Sequence, residues 1–281
     1  MSNSRVQDHY AKSGAGHSIA ERILTAVYAA GGPAAPVTPE TLAPFDHYHG
    51  GGLAATEGLA TLLEPQAGES IVDIGSGIGG PARWLAKRFN CKVTGVDLTP
   101  EFCDAARQLN THTEMVDRVV IHEGSALALP FPDGGFDRAY SQYVVMNIAD
   151  KLGVYREAAR VLKPDGRLVL CHVGAGANGQ PDYPLPWAAG PEHSFLASDE
   201  ETRRDLEHAG LQIISFRDMT QPLQSLIAMR RKLESEGMPA VGSHVLAGEH
   251  YLQMLINALR ASERGQIRTV EVVAFKRRYQ G

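Results

Sequence analysis

No stretch of this chain stays apolar over the roughly 18 residues that a bilayer-spanning helix needs. Met1 to Ser13 is polar, with no apolar core of a signal peptide. Cysteine is scarce: Cys91, Cys103 and Cys171 form no C-x-x-C pair and suit a reducing compartment. Excess positive charge is also missing. Lys and Arg number 27 against 32 Asp and Glu, a net charge of −5 that gives no reason to expect nucleic acid or an anionic membrane as partner. There is no internal repeat and no low-complexity tract. The eleven histidines include His47-Tyr48-His49, an H-x-H without a third nearby ligand, and clustered carboxylates are absent, so no metal site is expected. What remains is ordinary for a globular, cytoplasmic protein: 43% apolar and 21% charged residues, in a chain of 281 residues that can hold one large α/β domain plus a cap.

Punctuation along the chain places the elements. Ser18-Ile19-Ala20-Glu21 has capping-box spacing, and Ile19, Ile23, Leu24 and Val27 make a helical stripe that stops at Gly31-Gly32. The Pro- and Gly-rich stretch 33–52 reads as a loop, and a helix follows from about Leu53 to Leu63. Strands are expected near 70–74, 92–96, 119–123, 136–140, 167–172, 211–217 and 269–275. Helices are expected near 80–89, 100–109, 150–162, 198–209, 221–236 and 246–262. The alternation predicts an α/β fold, a doubly wound, mostly parallel seven-stranded sheet with helices on both faces. Residues 1–52 form an N-terminal arm and helix covering the site, and 53–281 the main domain, with a lid insertion at about 218–268.

Ile71-Val72-Asp73-Ile74-Gly75-Ser76-Gly77-Ile78-Gly79-Gly80 carries the most information. It is a buried strand, a glycine turn and a helix opening at Pro81, a shape that lets a ligand approach the backbone closely. Asp97, at the end of the strand Val93 to Val96, is placed to accept hydrogen bonds from ribose hydroxyls. Gly75, Gly77 and Gly80 also satisfy G-x-G-x-x-G, so a dinucleotide fits the glycines. Asp73 tilts the choice: a carboxylate facing the ligand repels a pyrophosphate and attracts an ammonium or sulfonium. S-adenosylmethionine (SAM) carries both cations and a ribose. The alternative is an Asp73 turned away that hydrogen-bonds only the turn.

Ile71 to Gly80 resembles the first motif of the class I SAM-dependent methyltransferases. Four later segments resemble the same family in order: Val93 to Asp97, Glu123-Gly124-Ser125-Ala126-Leu127-Ala128-Leu129-Pro130-Phe131, Phe136-Asp137-Arg138-Ala139-Tyr140-Ser141-Gln142, and Arg160-Val161-Leu162-Lys163-Pro164-Asp165-Gly166-Arg167. The resemblance implies the Rossmann-like methyltransferase fold and roles for single residues. Gly75, Ser76, Gly77 and Gly79 would lie against the methionine part of SAM with Asp73 near its ammonium, Asp97 on the ribose and Leu98 flanking the adenine. Ser125-Ala126 stands where family members usually have Asp-Ala, so the adenine contact is weaker or water-mediated. Ser141 follows at the carboxyl edge of the fourth strand. Arg83, in the first turn of a helix, either pairs with the SAM carboxylate or is an exposed arginine.

Asp46 to Leu53, Gly79 to Arg83, Ser141 to Ile148 and Tyr183 to Ala188 resemble a small-molecule branch that includes sarcosine/dimethylglycine and phosphoethanolamine N-methyltransferases. This implies a small-molecule acceptor, with an amine nitrogen favoured over O- or C-methylation of a natural product or quinone precursor; a homodimer is compatible with the family. The chemistry is an in-line displacement at an activated methyl, where orientation alone contributes roughly 7–11 kcal/mol. An ammonium or phenol must also lose a proton. His49, Tyr48, Tyr10 and His172 are the candidates to take it, while Gln142 and Asn147 are candidates to orient the acceptor. Trp187 either lines the pocket, where it faces a methylated ammonium, or belongs to the lid core. A nicotinamide-dependent oxidoreductase and a non-catalytic SAM-binding scaffold are the readings of other classes.

Overall fold

A computed structural model describes residues 18–238, 242, 246 and 250–277. Among these, seven strands form one sheet: β1 (Ser70–Ile74), β2 (Lys92–Asp97), β3 (Val119–Glu123), β4 (Phe136–Gln142), β5 (Leu162–Ala175), β6 (Leu211–Asp218) and β7 (Ile267–Lys276). Their order is β3-β2-β1-β4-β5-β7-β6. The pairs from β3 through β5 are parallel, and β7 runs antiparallel to both β5 and β6. The order reverses between β1 and β4, which opens a crevice beyond their carboxyl ends, the place where such sheets bind ligands.

The inner strand β1 is buried on both faces and reads as a continuous apolar run, while the edge strands β3 and β6 expose Val120 and Ile214. Successive side chains point to opposite faces. Val72 and Ile74 of β1 join Ala139, Tyr155, Leu168 and Leu206 on one side. Ile71 joins Leu59, Leu63, Leu85, Val93, Tyr140 and Val169 on the other. The helices over these faces are α1 (Ile19–Gly31), α2 (Pro39–Asp46), α3 (Gly52–Leu63), α4 (Gly80–Phe89), α5 (Pro100–His112), α6 (Lys151–Val161), α7 (Asp199–His208), α8 (Leu223–Glu236) and α9 (Tyr251–Glu263).

Two expectations are corrected. The stretch 33–52 is not all loop, because α2 forms within it. Thr38 and Thr41 cap each other (Thr41 N to Thr38 Oγ1 3.3 Å, Thr38 N to Thr41 Oγ1 2.9 Å). Pro39 occupies the first turn, where its missing N–H costs nothing. Leu42 and Phe45 then bury against Ile23, Val27 and Leu109, and that burial outweighs the cost of Pro44 inside the helix. The fifth strand is also longer than 167–172, running from Leu162 to Ala175.

The insertion after β6 contributes α8 and α9, joined by the ion pairs Arg230–Glu263 and Arg260–Glu234. It reaches the N-terminal part through Tyr251, whose ring stacks on Tyr48 at 6.0 Å. Residues 1–17, with the candidate Tyr10, lie outside the described residues, as does most of 239–249. No helix among the described residues is long and apolar enough to cross a membrane.

Candidate active site

A cleft of about 570 Å³ lies at the carboxyl ends of β1, β2 and β4. The glycine turn supplies Asp73, Gly75, Ser76 and Gly77 to its floor, and β2 supplies Asp97 and Leu98. Ser125 and Ala126 close one end. At the other end Tyr48 and His49 approach from the α2–α3 connection, Gln142 from the last position of β4, Tyr143 and Asn147 from just beyond it, and Glu192, His193 and Phe195 from the β5–α7 loop. None of the described residues of 218–268 lines it. Among the described residues the cover therefore comes from the N-terminal connection and the β5–α7 loop rather than from the insertion.

The turn is built around Asp97. Its Oδ2 accepts the Gly77 N–H at 2.8 Å and its Oδ1 the Thr99 N–H at 2.9 Å. Burial raises the Asp97 pKa, and the two backbone donors oppose that rise. Gly75 has φ +83°, and a Cβ there would stand 2.3 Å from Val144 Cγ2. Gly75→Ala therefore meets a left-handed backbone and an overpacked wall together. We expect a loss of about 2–4 kcal/mol, read by thermal or denaturant unfolding.

Asp73 faces the cleft and also accepts a hydrogen bond from Tyr140 Oη at 2.7 Å. Burial pushes its carboxyl up to about 7, with the Tyr140 bond opposing and the Asp97 charge adding to the rise. Ser76 Oγ is buried and has no hydrogen-bond partner among the described residues. Two carboxylates, an unpartnered hydroxyl and a glycine backbone fit a polar, cationic nucleoside.

At the opposite end of the cleft, His49 Nδ1 lies 3.2 Å from the Gly50 carbonyl and Nε2 lies 3.3 Å from Thr56 Oγ1. The ring stacks on Tyr143 at 5.6 Å, with 4° between the planes. Burial pulls the His49 pKa down to about 4, so it is a neutral imidazole near neutral pH. Gln142 is 7% exposed; its Oε1 is 3.4 Å from Thr56 Oγ1, and its Nε2 has no partner among the described residues.

Three predicted site residues do not line the cleft. Gly79 opens α4 with φ +76°, and a Cβ there would meet Arg83 Nη1. Ser141 is buried and donates to the Ile74 carbonyl at 2.8 Å, tying β4 to β1. His172 lies inside β5 because the strand continues to Ala175. It is 2% exposed, and burial together with the Lys151 charge holds its pKa down at about 4. Its placement corrects the expectation that it aims into the cleft as a base.

Arg83 takes neither expected role. It is fully buried, with Nη2 2.8 Å from Asp46 Oδ2 and 2.7 Å from the Ile78 carbonyl, and Nη1 2.9 Å from Asn110 Oδ1. Burial raises the Asp46 pKa, but His47 and Arg83 outweigh it and hold the carboxyl below its usual value. Trp187 belongs to a cluster with Met146, Val173, Leu185 and Ala261, its Nε1 donating to Ser194 Oγ at 3.0 Å. Asn147 lines the cleft while donating Nδ2 to the Trp187 carbonyl at 2.7 Å.

Sequence reasoning missed Tyr143, Glu192 and His193. Tyr143 immediately follows the recognised strand and holds φ +58°, which no pattern signals. Glu192 and His193 sit in a turn whose neighbours, Tyr183 to Ala188, drew attention instead.

Residues 72–170 match the family described as "Methyltransferase domain". The chain is 32% identical over 169 residues to 27-O-demethylrifamycin SV methyltransferase of Amycolatopsis mediterranei (strain S699), covering 59% of this chain and 62% of that protein. It is 30% identical over 153 residues to glycine/sarcosine/dimethylglycine N-methyltransferase of Actinopolyspora halophila, covering 54% and 27%. The chain thus spans less than two thirds of either relative. Among solved structures, phosphoethanolamine N-methyltransferase 2 of Haemonchus contortus superposes with a TM-score of 0.70 at 20% identity, covering 97% of this chain and 60% of that one. Residues 72–170 are thus similar to a methyltransferase domain, and the seven-stranded sheet with its glycine-floored cleft has the fold of the solved methyltransferase structures.

Proposed function

We propose that the protein transfers a methyl group from SAM to a small-molecule acceptor, with an amine nitrogen as the favoured acceptor atom. One observation carries the reading: a single cleft runs from the glycine turn and Asp97 to a second end walled by His49, Gln142, Tyr143 and Glu192. Bound SAM supplies an activated methyl on a sulfonium. Asp73 would hold its ammonium, Gly75 to Gly77 the methionine chain and Asp97 the ribose, with Leu98, Ser125 and Ala126 about the adenine. Ser125 Oγ accepts the Leu127 N–H at 3.2 Å and keeps its own proton to donate.

Glu192 lines the same cleft as His49 and Gln142, and its charge favours a cationic or amine-bearing acceptor over an anionic one. The relatives differ in the acceptors named for them, so the nitrogen rests on this electrostatic support. The carboxylate of Asp73 disfavours the dinucleotide reading, because it faces the place a pyrophosphate would take. Three buried free cysteines support the cytoplasmic location.

Because burial raises the Asp73 carboxyl to about 7, a cation at that point must discharge its proton. SAM affinity should therefore rise as pH is raised through about 7 and weaken below it, by at most about tenfold per unit. Calorimetry from pH 6 to 8.5 reads this; a flat profile contradicts the Asp73 contact. The function itself is tested with methyl-labelled SAM and a panel of sarcosine, N,N-dimethylglycine, phosphoethanolamine, phenols and hydroquinones. Transfer to an amine is expected. SAM binding without transfer to any compound leaves the scaffold reading, and NADH binding without SAM binding leaves the oxidoreductase.

A further inference from the structure

The β5–α7 loop brings Glu192, His193 and Phe195 to the cleft, and both sides of Phe195 are fastened to the segment that follows β4. Its N–H donates to the Met146 carbonyl at 2.8 Å. Its carbonyl accepts a hydrogen bond from Lys151 Nζ. The same Nζ donates to the Ile148 carbonyl at 2.9 Å and to the Val145 carbonyl at 3.2 Å. Lys151, the first residue of α6, therefore joins two segments: the 3-10 turn Val145–Asn147 with Ile148, and the loop before α7. Ile148 and Phe195 both line the cleft, so the fastening ties two of its walls together.

An ammonium is costly to bury unless its three hydrogens are all taken. Lys151 is 7% exposed, and three carbonyls take them. Burial pulls its pKa down to about 8, and the Glu201 and Asp205 carboxylates of α7 oppose that fall. His172, which interacts with it from β5, is neutral near pH 7 and adds no charge. Lys151 is thus an ammonium at neutral pH, and its hydrogen bonds are about twice as strong as those of a neutral donor. A side chain that only filled this space would avoid the cost of burial by being apolar.

We propose that Lys151 is a positioning residue whose ammonium pins the β5–α7 loop to the segment after β4, and so holds Glu192, His193 and Phe195 in place as the cover of the cleft. The pin rests on the hydrogen bonds alone; its effect on an acceptor rests on the methyl-transfer reading. Without the ammonium, the Val145 carbonyl keeps the Ile148 N–H at 3.1 Å. The Phe195 carbonyl has no other donor among the described residues. The loop side of the pin is therefore the side that lets go. Asp73, Asp97 and the glycine turn stay in place, because they sit at the ends of β1 and β2. The acceptor is then held less tightly while SAM is held nearly as well.

Hydrogen–deuterium exchange of the full chain, with and without S-adenosylhomocysteine, tests the pin without an acceptor. In Lys151→Met the amides of 190–197 should exchange about tenfold faster, the loss of one hydrogen bond from a charged donor, while α6 and α7 keep wild-type protection. Wild-type exchange in 190–197, or a rise shared equally by α6 and α7, overturns the proposal. The wild-type chain labelled with 15N-lysine gives a second reading should the variant fail to fold. Lys151 is expected there as a slowly exchanging ammonium near pH 7, in contact with protons of Ile148 and Phe195. A neutral amine, or an ammonium that exchanges as fast as an exposed lysine, overturns the pin. With the labelled panel, Lys151→Met should raise the acceptor KM about tenfold and leave SAM affinity nearly unchanged; an unchanged KM overturns the positioning role. If no compound accepts label, the methyl-transfer reading fails while the exchange rates still decide the pin.

Discussion

Asp97→Asn should weaken SAM binding by about a hundredfold or more, while the protein stays folded. Each carboxylate oxygen of Asp97 accepts one backbone N–H, from Gly77 at 2.8 Å and from Thr99 at 2.9 Å. An amide at this position has one acceptor and one donor end, so whichever way it turns, an NH2 group faces a backbone N–H. The turn that carries Gly75 to Gly77 loses one of its ties. The ribose loses the charged acceptor proposed for its hydroxyls, and a hydrogen bond to a charged group is worth about 1.5–3 kcal/mol. Two such losses amount to a hundredfold at the least. The substitution is nearly isosteric and Asp97 sits at a strand end, so the core packing of β2 is untouched. Calorimetric titration with SAM, alongside circular dichroism, separates lost binding from lost fold. Wild-type affinity in a folded Asp97→Asn would remove Asp97 from the cofactor site.

The second large effect concerns stability. Arg83→Met should cost about 3–5 kcal/mol, because it removes the guanidinium from a buried carboxylate and leaves Asp46 with the His47 imidazole at 3.0 Å. Arg83 joins three elements: Asp46 at the end of α2, the Ile78 carbonyl in the glycine turn and Asn110 on α5. Asn110 in turn donates Nδ2 to the Val119 carbonyl at 2.9 Å, which extends the network to β3. Asp46 borders the cleft, so the same substitution should loosen its wall and weaken SAM binding as a secondary effect. At about 2–4 °C per kcal/mol for a chain of this class, melting should fall by roughly 10 °C. Removing both charges is the informative control. Arg83→Met with Asp46→Asn should recover part of the loss, because no uncompensated charge is left buried. Additive losses would mean that the pair is not coupled and that Arg83 acts through packing alone.

The sheet was legible because its signals are local. Buried β-branched residues mark β1, β2, β3, β5 and β7, and every predicted strand has its counterpart in the sheet. The glycine-floored end of the cleft was legible for the same reason, since Asp73, Gly75 and Asp97 hold fixed places relative to strand ends. Helix α2 was not, because proline-rich composition argues for a loop and only the burial of Leu42 and Phe45 against distant helices reverses that. His172 was misplaced by an error of three residues in where β5 ends, which is enough to move a side chain from cleft to core. Arg83 shows a different limit. Its partners, Asp46 and Asn110, lie 37 and 27 residues away in sequence, and nothing in the local pattern distinguishes a buried, paired arginine from an exposed one. Tyr143, Glu192 and His193 share this limit, since loop side chains are aimed by contacts that spacing does not encode.

The most direct test of methyl transfer is a single-turnover reaction with SAM carrying a 13C-labelled methyl, followed by NMR of the products for each compound of the acceptor panel. The account predicts a new N-methyl signal from an amine, formed in step with S-adenosylhomocysteine and lost in Asp97→Asn. SAM that binds tightly yet leaves its label on sulfur with every compound would contradict it.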